Sequence, residues 1–234
     1  MIELGAGTGV LTVELLLRGA TVTAVEPDPD MVHVLRTELG AEARLSILMA
    51  DALDLDVQTM SLDKNRRPIV AGNLPYAITG SILRWACANA AFVKRYVFLV
   101  QKEVGQRIVA MAGSAHYGAL SVFLQNKFEP HVLERVGKDA FFPRPKVDSA
   151  LVALETRHAP ITEETSVFRS TVRAAFDARR KTLRKALSQN LLSSDQARSV
   201  LLAADIDGQR RGETLSVEEF MRLSDHAARE LGST

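Results

Sequence analysis

Glu3-Leu4-Gly5-Ala6-Gly7-Thr8-Gly9 lies at the head of the chain, and the reading of the fold grows outward from it. Met1–Leu4 is a stub of strand that enters three alternating glycines directly, and Val10 to Leu17 beyond them is an apolar helix ended by Gly19. Glycines at alternate positions permit a tight turn with positive φ and let the backbone approach a ligand closely. The spacing is G-x-G-x-G, not the G-x-G-x-x-G of dinucleotide binders. No Lys-Ser/Thr pair follows, as a phosphate-binding P-loop requires. A loop with no pyrophosphate grip suits S-adenosylmethionine, a nucleoside that carries none.

Strand and helix patterns alternate downstream. Thr21 to Val25 is a β-branched strand; Asp28-Pro29 supplies an N-cap and an N1 proline for a helix that runs to Leu39 and stops at Gly40. Leu45–Met49 and Pro68–Ala71 are further strands, ending at Asp51 and Asn73. Helix Ser81–Ala90, strand Tyr96–Val100 and helix Glu103–Met111 continue the series. Strands separated by helices imply a mostly parallel sheet with right-handed crossovers. After Gly118 the stretches Ala119–Phe128, Val132–Val136 and Val147–Leu154 read as extended with no helix between them, which predicts antiparallel strands at the sheet edge. His158-Ala159-Pro160 reads as a linker. Beyond it Val172, Phe176, Leu183 and Leu187 form an apolar stripe at helical spacing, and Ser193 with Gln196 and Ser216 with Glu219 are capping boxes. Two domains are therefore expected, an α/β domain over 1–157 and a small α-helical domain over 160–234.

Composition narrows the function class. With 234 residues, 47% of them hydrophobic, the chain can bury a full core. A net charge of +1 produces no global basic field, so any nucleic-acid surface must be local. One cysteine, Cys87, excludes an intrachain disulfide and a cysteine-based zinc cluster and fits a reducing cytoplasm. The five histidines show no metal-ligand spacing, so no metal is expected. No apolar run reaches the roughly 18 residues of a membrane span, and no secretion signal is visible. A cytoplasmic protein without membrane association is expected.

The strand ends carry the candidate chemistry. Glu26 closes the second strand, where an acid can bond two ribose hydroxyls. Asp51 follows the third, where its carboxylate can accept from an adenine amino group while the Ala52 backbone N–H meets a ring nitrogen. The plainer alternative is an ordinary strand–helix turn with acids that cap helices. Asn73-Leu74-Pro75-Tyr76 follows the fourth strand. An adenine amino nitrogen is a poor nucleophile because its lone pair is delocalised into the ring. Two acceptors on its hydrogens, the Asn73 side-chain oxygen and the Leu74 carbonyl, favour a pyramidal nitrogen and aim the lone pair at a methyl donor. Pro75 has no N–H and restrains Leu74 to an extended shape. Tyr76 offers a face on which the base can stack. Phe141-Phe142-Pro143-Arg144-Pro145-Lys146 supplies a second aromatic wall on a proline-stiffened loop, unless Phe141 is a plain core aromatic.

These segments resemble the ribosomal RNA adenine N6-dimethyltransferase family, most closely its small-subunit branch. Asn73 to Tyr76 is similar to the family's Asn-Leu-Pro-Tyr motif, and Phe141 through Ala150 to its Phe-x-Pro-x-Pro-Lys-Val-Asp-Ser-Ala segment. Gln101-Lys102-Glu103, Tyr117-Gly118 with Leu120-Ser121-Val122, Arg179 to Arg184, and Ile206-Asp207 followed by Arg210, Glu213, Leu215 and Ser216 also fit. The resemblance implies a Rossmann-like class I methyltransferase sheet with a helical C-terminal domain. It implies Gly5, Ala6, Gly7, Glu26, Asp51, Ala52 and Asn73 as contacts for S-adenosylmethionine, and Asn73, Leu74, Pro75, Tyr76 and Phe141 as the target-base site. The implied reaction is dimethylation of two adjacent adenosines near the 3′ end of 16S rRNA in an assembling small subunit, by a monomer. In the family a preceding segment with a Gly-Gln-Asn-Phe-Leu motif packs over the methionine end of the cofactor. This chain begins at the first strand, so the expectation is either a chain truncated relative to the family or a site that lacks part of its lid.

Seven basic residues and one acid, Asp177, lie between Arg169 and Lys185. Arg173, Arg180 and Arg184 are expected on one helical face opposite the apolar stripe, and with Arg179 and Lys181 they form a candidate RNA surface. The alternative is a solvated helix face. Two other functions stay open: methylation of a different amino group, such as large-subunit RNA, DNA adenine or protein glutamine, and a non-catalytic ribosome-assembly factor that keeps the fold. Leu74 counts against the DNA and glutamine enzymes, which usually carry Asn/Asp-Pro-Pro-Tyr.

Overall fold

The computed structural model describes residues 1–60 and 67–232. The chain divides into two units, one of Met1–Gly105 with Phe128–Thr156 and one of Gln106–Lys127 with Arg157–Thr234.

The first unit is built on a seven-stranded sheet. Its strands are β1 (Ile2–Leu4), β2 (Val22–Glu26), β3 (Leu45–Met49), β4 (Ile69–Asn73), β5 (Arg95–Gln101), β6 (Phe128–Val136) and β7 (Ser149–Thr156), in the order β3-β2-β1-β4-β5-β7-β6. The first five are parallel; β7 runs antiparallel to β5, and β6 to β7, as the sequence predicts for the edge. The chain starts at the centre, steps outward through β2 and β3, and returns to the other side of β1 with β4. That reversal opens a crevice beyond the carboxyl ends of β1 and β4, the usual ligand position in open α/β sheets. β1 is buried at all three residues, as a central strand must be.

Helices α1 (Val10–Leu17), α2 (Pro29–Leu39), α3 (Val57–Met60) and α4 (Thr79–Ala88) connect the parallel strands. Asp28 caps α2, its Oδ1 accepting from the Asp30 N–H at 2.8 Å. In the core, Tyr96 lies edge-on to Trp85 and Phe128 with centroids 6.2 and 5.5 Å apart. The polar ends of these rings are satisfied: Trp85 Nε1 donates to the Leu55 carbonyl and the Tyr96 hydroxyl to the Ala86 carbonyl, each at 3.1 Å. Cys87, on the same helix as Trp85, is half-buried.

α5 (Lys102–Ile108) carries the chain out of the sheet unit, and α6 (Ala119–Lys127) follows it. Here the sequence reading is corrected, because Ala119–Phe128 is not extended. Its apolar run suits a buried strand or a buried helix equally, and long-range packing decides. Val122 packs in the core of the helical unit with Phe123 against it. Gln125 Nε2 donates to the Ile108 and Ala110 carbonyls, and the Asn126 amide makes two bonds with the backbone of Thr162. Residues 106–127 therefore group with the helical unit, although the sequence places them within 1–157.

The remaining helices are α7 (Ser166–Asp177), α8 (Leu183–Asn190), α9 (Ser194–Ala203) and α10 (Val217–Glu230). Both predicted capping boxes, Ser193 with Gln196 and Ser216 with Glu219, are formed. The apolar stripe is also present, with Val172, Leu183 and Leu187 buried and Phe176 packed against them. It belongs to two helices, however, and the single basic face is corrected accordingly. α7 ends at Asp177, and Arg179, Arg180 and Lys181 occupy the turn before α8. The N–H groups of Leu183 and Arg184 donate to the carbonyls of Arg210 and Gly208 at 2.6 and 3.1 Å, so a new helix start is satisfied there. No helix of the described residues is long and apolar enough to cross a membrane.

Candidate functional site

The glycine-rich turn is bonded to the neighbouring strand end. The N–H groups of Gly5 and Ala6 donate to the Val25 carbonyl at 2.9 and 3.2 Å, and the Gly7 N–H donates to Glu26 Oε2 at 2.7 Å. Glu26 Oε1 accepts from the Asp28 N–H at 3.0 Å. Glu26 is buried, and its carboxylate keeps further lone pairs for a ligand. Gly5, Gly7 and Gly9 all have positive φ, at 68°, 55° and 87°. Their surroundings differ. A Cβ on Gly9 would come within 2.8 Å of Leu35 Cδ2, whereas one on Gly7 would meet nothing within 4 Å. Gly9 serves packing on α2, and Gly7 leaves open space above the strand ends.

Asp51 and Ala52 follow β3, two strands from β1. Asp51 is exposed and caps the short turn Ala52–Asp54, with Oδ1 accepting from the Leu53 N–H at 2.9 Å. The helix-cap reading thus describes one oxygen of Asp51, while Glu26 caps no helix.

Asn73 ends β4, paired with Leu99 of β5, and is exposed at the crevice edge. Leu74 is 3% exposed. A side chain at Gly72 would lie 2.8 Å from the Leu4 carbonyl oxygen and 3.1 Å from Leu74 Cδ2, so a bare residue there lets Leu74 tuck in beside β1. The turn that follows is fixed by Pro75 at φ −55° and by the Ile78 N–H donating to its carbonyl at 3.1 Å. The Tyr76 and Ser149 hydroxyls share a hydrogen bond of 2.7 Å.

An open cavity of 510 Å³ is lined by Asn73, Leu74, Pro75, Tyr76, Phe141, Pro143 and Pro145. The structure therefore gathers the tetrapeptide and Phe141 in one place, although they are far apart in sequence. Phe141 is half-buried and takes part in that lining, and Phe142 beside it is fully exposed. The loop that carries them is pinned at both ends. The Lys138 N–H donates to Asp148 Oδ1 at 3.3 Å, the Lys102 N–H donates to the Asp148 carbonyl at 2.9 Å, and Arg144 pairs with Asp139 at 2.6 Å.

Four residues of this region escaped the sequence reading: Gly72, Ser149, Glu3 and Thr12. Ser149 lies within a segment singled out by its motif, but its partner is 73 positions away. Glu3 is part of the quoted turn, yet only the fold shows its carboxylate buried against the Thr12 hydroxyl at 2.6 Å.

In the helical unit Arg173, Arg179, Arg180, Lys181 and Arg184 are all exposed. Arg179 Nη2 donates to the carbonyls of Ala115 and Tyr117 and to Glu213 Oε2, at 3.2 to 3.3 Å. The other four make no ion pair among the described residues.

The family model for ribosomal RNA adenine dimethylase matches residues 1–229. A relative named ribosomal RNA small subunit methyltransferase A, from Anaeromyxobacter dehalogenans, is 44% identical over 95% of this chain and 81% of its own length. One of the same name from Clostridium botulinum is 36% identical over 96% of this chain and 82% of its own. Among solved structures, a dimethyladenosine transferase from Plasmodium falciparum has a TM-score of 0.79 at 22% identity, covering 95% of this chain and 87% of its own. The 23S rRNA methyltransferase ErmE has a TM-score of 0.71 at 26% identity, covering 96% and 89%. The fold is accordingly the Rossmann-like class I methyltransferase sheet with a helical C-terminal part. With a match along nearly its whole length and relatives this similar, the chain belongs to the ribosomal RNA adenine dimethylase family.

Proposed function

We propose that this chain dimethylates the amino nitrogens of two adjacent adenosines near the 3′ end of small-subunit rRNA, acting as a cytoplasmic monomer on the assembling small subunit. The observation that carries the proposal is the cavity in which Asn73, Leu74, Pro75 and Tyr76 meet Phe141 at the end of β4, beside the glycine-rich turn at the end of β1. The name shared by relatives 36% to 44% identical supports the choice of rRNA.

The turn fits S-adenosylmethionine. Open space above Gly7, positive φ at Gly5 and Gly7, and the spare lone pairs of buried Glu26 make a cradle for a nucleoside without a pyrophosphate. Glu26 would hold the ribose, Asp51 and the Ala52 N–H the adenine, and Gly5, Ala6, Gly7 and Asn73 the remainder. When bound, S-adenosylmethionine supplies an activated methyl group on sulfur.

Asn73 presents its side-chain oxygen and Leu74 its carbonyl to the two hydrogens of the target amino group, which directs the nitrogen lone pair out of the ring plane. Pro75, with no N–H to offer the ladder, ends the strand there and holds the Leu74 carbonyl in place. Tyr76 and Phe141 enclose the base, which must leave its stack or come from an unpaired segment. Alignment and preorganised acceptors lower the barrier without a strong base; the N–C bond would form as the S–CH3 bond breaks, and the amino proton would then pass to solvent. Arg173, Arg180, Lys181 and Arg184, with Arg179 anchored among them, offer cations to RNA phosphates.

The similarity to ErmE favours a second reading, dimethylation of large-subunit rRNA. A single experiment separates the two. Labelled S-adenosylmethionine is incubated with undermethylated small subunits and, separately, with naked large-subunit rRNA, and both are digested to nucleosides. Dimethyladenosine in the small-subunit sample alone is the expected result. Label in the large-subunit sample alone supports the second reading, and no label in either means that this chain does not turn over on its own or only binds.

A further inference from the structure

We infer that Ser149 is a positioning residue that sets the attitude of the Tyr76 ring at the cavity, and so the fit of the target base; this rests on the base-pocket reading above. Tyr76 is half-buried on a short turn after β4, where its hydroxyl bond to Ser149 Oγ ties the end of the ring to the sheet. Ser149 is the opposite kind of residue. It is fully buried, at the first position of β7, with β5 on one side (Gln101) and β6 on the other (Val136). A backbone paired on both edges fixes its Cβ, and a two-atom side chain leaves its hydroxyl little room to wander.

The bond also joins the two walls of the cavity. Ser149 follows directly on the loop that carries Phe141, Pro143 and Pro145, and its neighbour Asp148 closes that loop onto the Lys138 N–H and pairs with the Lys102 ammonium. The Tyr76 hydroxyl therefore connects one wall to the strand at the root of the other. A stacking face is useful only at the correct tilt and separation, because misplacement by about 1 Å at a reacting centre costs up to about a hundredfold in rate. Ser149 does not line the cavity itself; it acts through Tyr76.

The test is a double-mutant cycle on the full chain, with Tyr76→Phe and Ser149→Ala each removing the same hydrogen bond from one side. Each single variant is expected to lower kcat/KM for small-subunit rRNA by roughly fivefold to tenfold, the worth of one partly buried hydrogen bond. The double variant is expected to lose no more than either single one, and S-adenosylhomocysteine affinity is expected to stay unchanged in all three. Tyr76→Phe keeps the ring and leaves the buried core intact, so it reports even if Ser149→Ala folds poorly. A second readout does not depend on turnover: an unpaired oligonucleotide with 2-aminopurine at the target position is quenched on stacking, and both single variants should weaken that quench equally. Multiplied losses in the double variant, or wild-type behaviour in Tyr76→Phe, would overturn the positioning role. Activity retained in Asn73→Ala would instead remove the base-pocket reading on which it rests.

Discussion

The Thr12 hydroxyl donates to the Glu3 carboxylate at 2.6 Å, with both residues almost completely buried, and the bond spans the glycine-rich turn from β1 to α1. A carboxylate so placed costs free energy to ionise, and burial raises its pKa while the Thr12 bond opposes the rise. The folded pKa lies above the unfolded one, so the contribution of Glu3 to stability is fully present below the unfolded pKa and is lost as pH rises through the folded pKa. Thr12→Val removes the donor that eases the charged form, at a cost of about 1–3 kcal/mol once Glu3 is ionised. Urea denaturation should show a gap between wild type and Thr12→Val that widens from acid to neutral pH. A gap independent of pH would mean that the hydroxyl contributes only packing. Glu3→Gln should in turn flatten the loss of stability with rising pH.

The glycines of the turn are expected to separate stability from ligand affinity. Gly9→Ala drives a methyl against Leu35 and Leu39 in a left-handed backbone, and it should cost about 2–4 kcal/mol of stability. Gly7→Ala has open space and only the backbone penalty of about 1–2 kcal/mol. Its larger effect should be on S-adenosylhomocysteine binding, because the added methyl fills the crevice. Thermal melts with and without that ligand distinguish the two.

Asn73→Ala should abolish methylation, lowering kcat by at least about a hundredfold, the usual loss when one preorganised partner of a reacting group is removed. Filter binding of rRNA should change less than about threefold in the same variant. Full turnover in Asn73→Ala would discard the proposed role of the amide.

Arg210 and Glu219 form a two-pronged ion pair in the helical unit, with Arg210 Nη2 3.0 Å from Glu219 Oε2, and the same oxygen accepts from the Ser216 N–H. The Arg210 hydrogen bonds hold the Glu219 carboxyl below its ordinary pKa. That stability is present above the unfolded pKa and is lost as pH falls through the folded one. Glu219→Gln should therefore destabilise the protein by about 1 kcal/mol at neutral pH and by progressively less in acid. Melting curves at pH 7 and pH 3 would show the convergence.

Arg173, Arg180 and Arg184 are exposed and make no ion pair among the described residues. Changing all three to Gln should weaken rRNA binding and reduce the slope of log affinity against log salt by about 0.7 for each phosphate that is no longer neutralised. Because Arg179 is held by Glu213 and two carbonyls, Arg179→Gln should also lower thermal stability, which the other three should not. An unchanged salt slope in the triple variant would leave these arginines as a solvated surface.

What the sequence discloses best is local. The glycine turn, the Asp28 cap of α2, both capping boxes and the alternation from β1 to β5 depend on residues a few positions apart, and the structure has all of them. Ala119–Lys127 shows where that reach ends. Its apolar run permits strand or helix, and the choice of helix rests on Val122 in the helical core and on Gln125 and Asn126 bonding distant carbonyls. Arg173, Arg180 and Arg184 do not share a face for a related reason, since the start of α8 is satisfied by carbonyls at Gly208 and Arg210 that no window around it contains.

The sequence by itself determined which residues could do the chemistry, because Asn73 to Tyr76, Phe141, Glu26 and the alternating glycines are types whose donors, acceptors and conformational freedom suit it. Tertiary structure alone decided that they meet. The order of the sheet sets the ends of β1 and β4 side by side, the Glu26 carboxylate is locked to the Gly7 N–H from 19 positions away, and the Tyr76 ring is steered by a serine 73 positions away. Spacing along the chain carries no record of such bonds, because they form only after long-range strand pairing has brought their partners within about 3 Å.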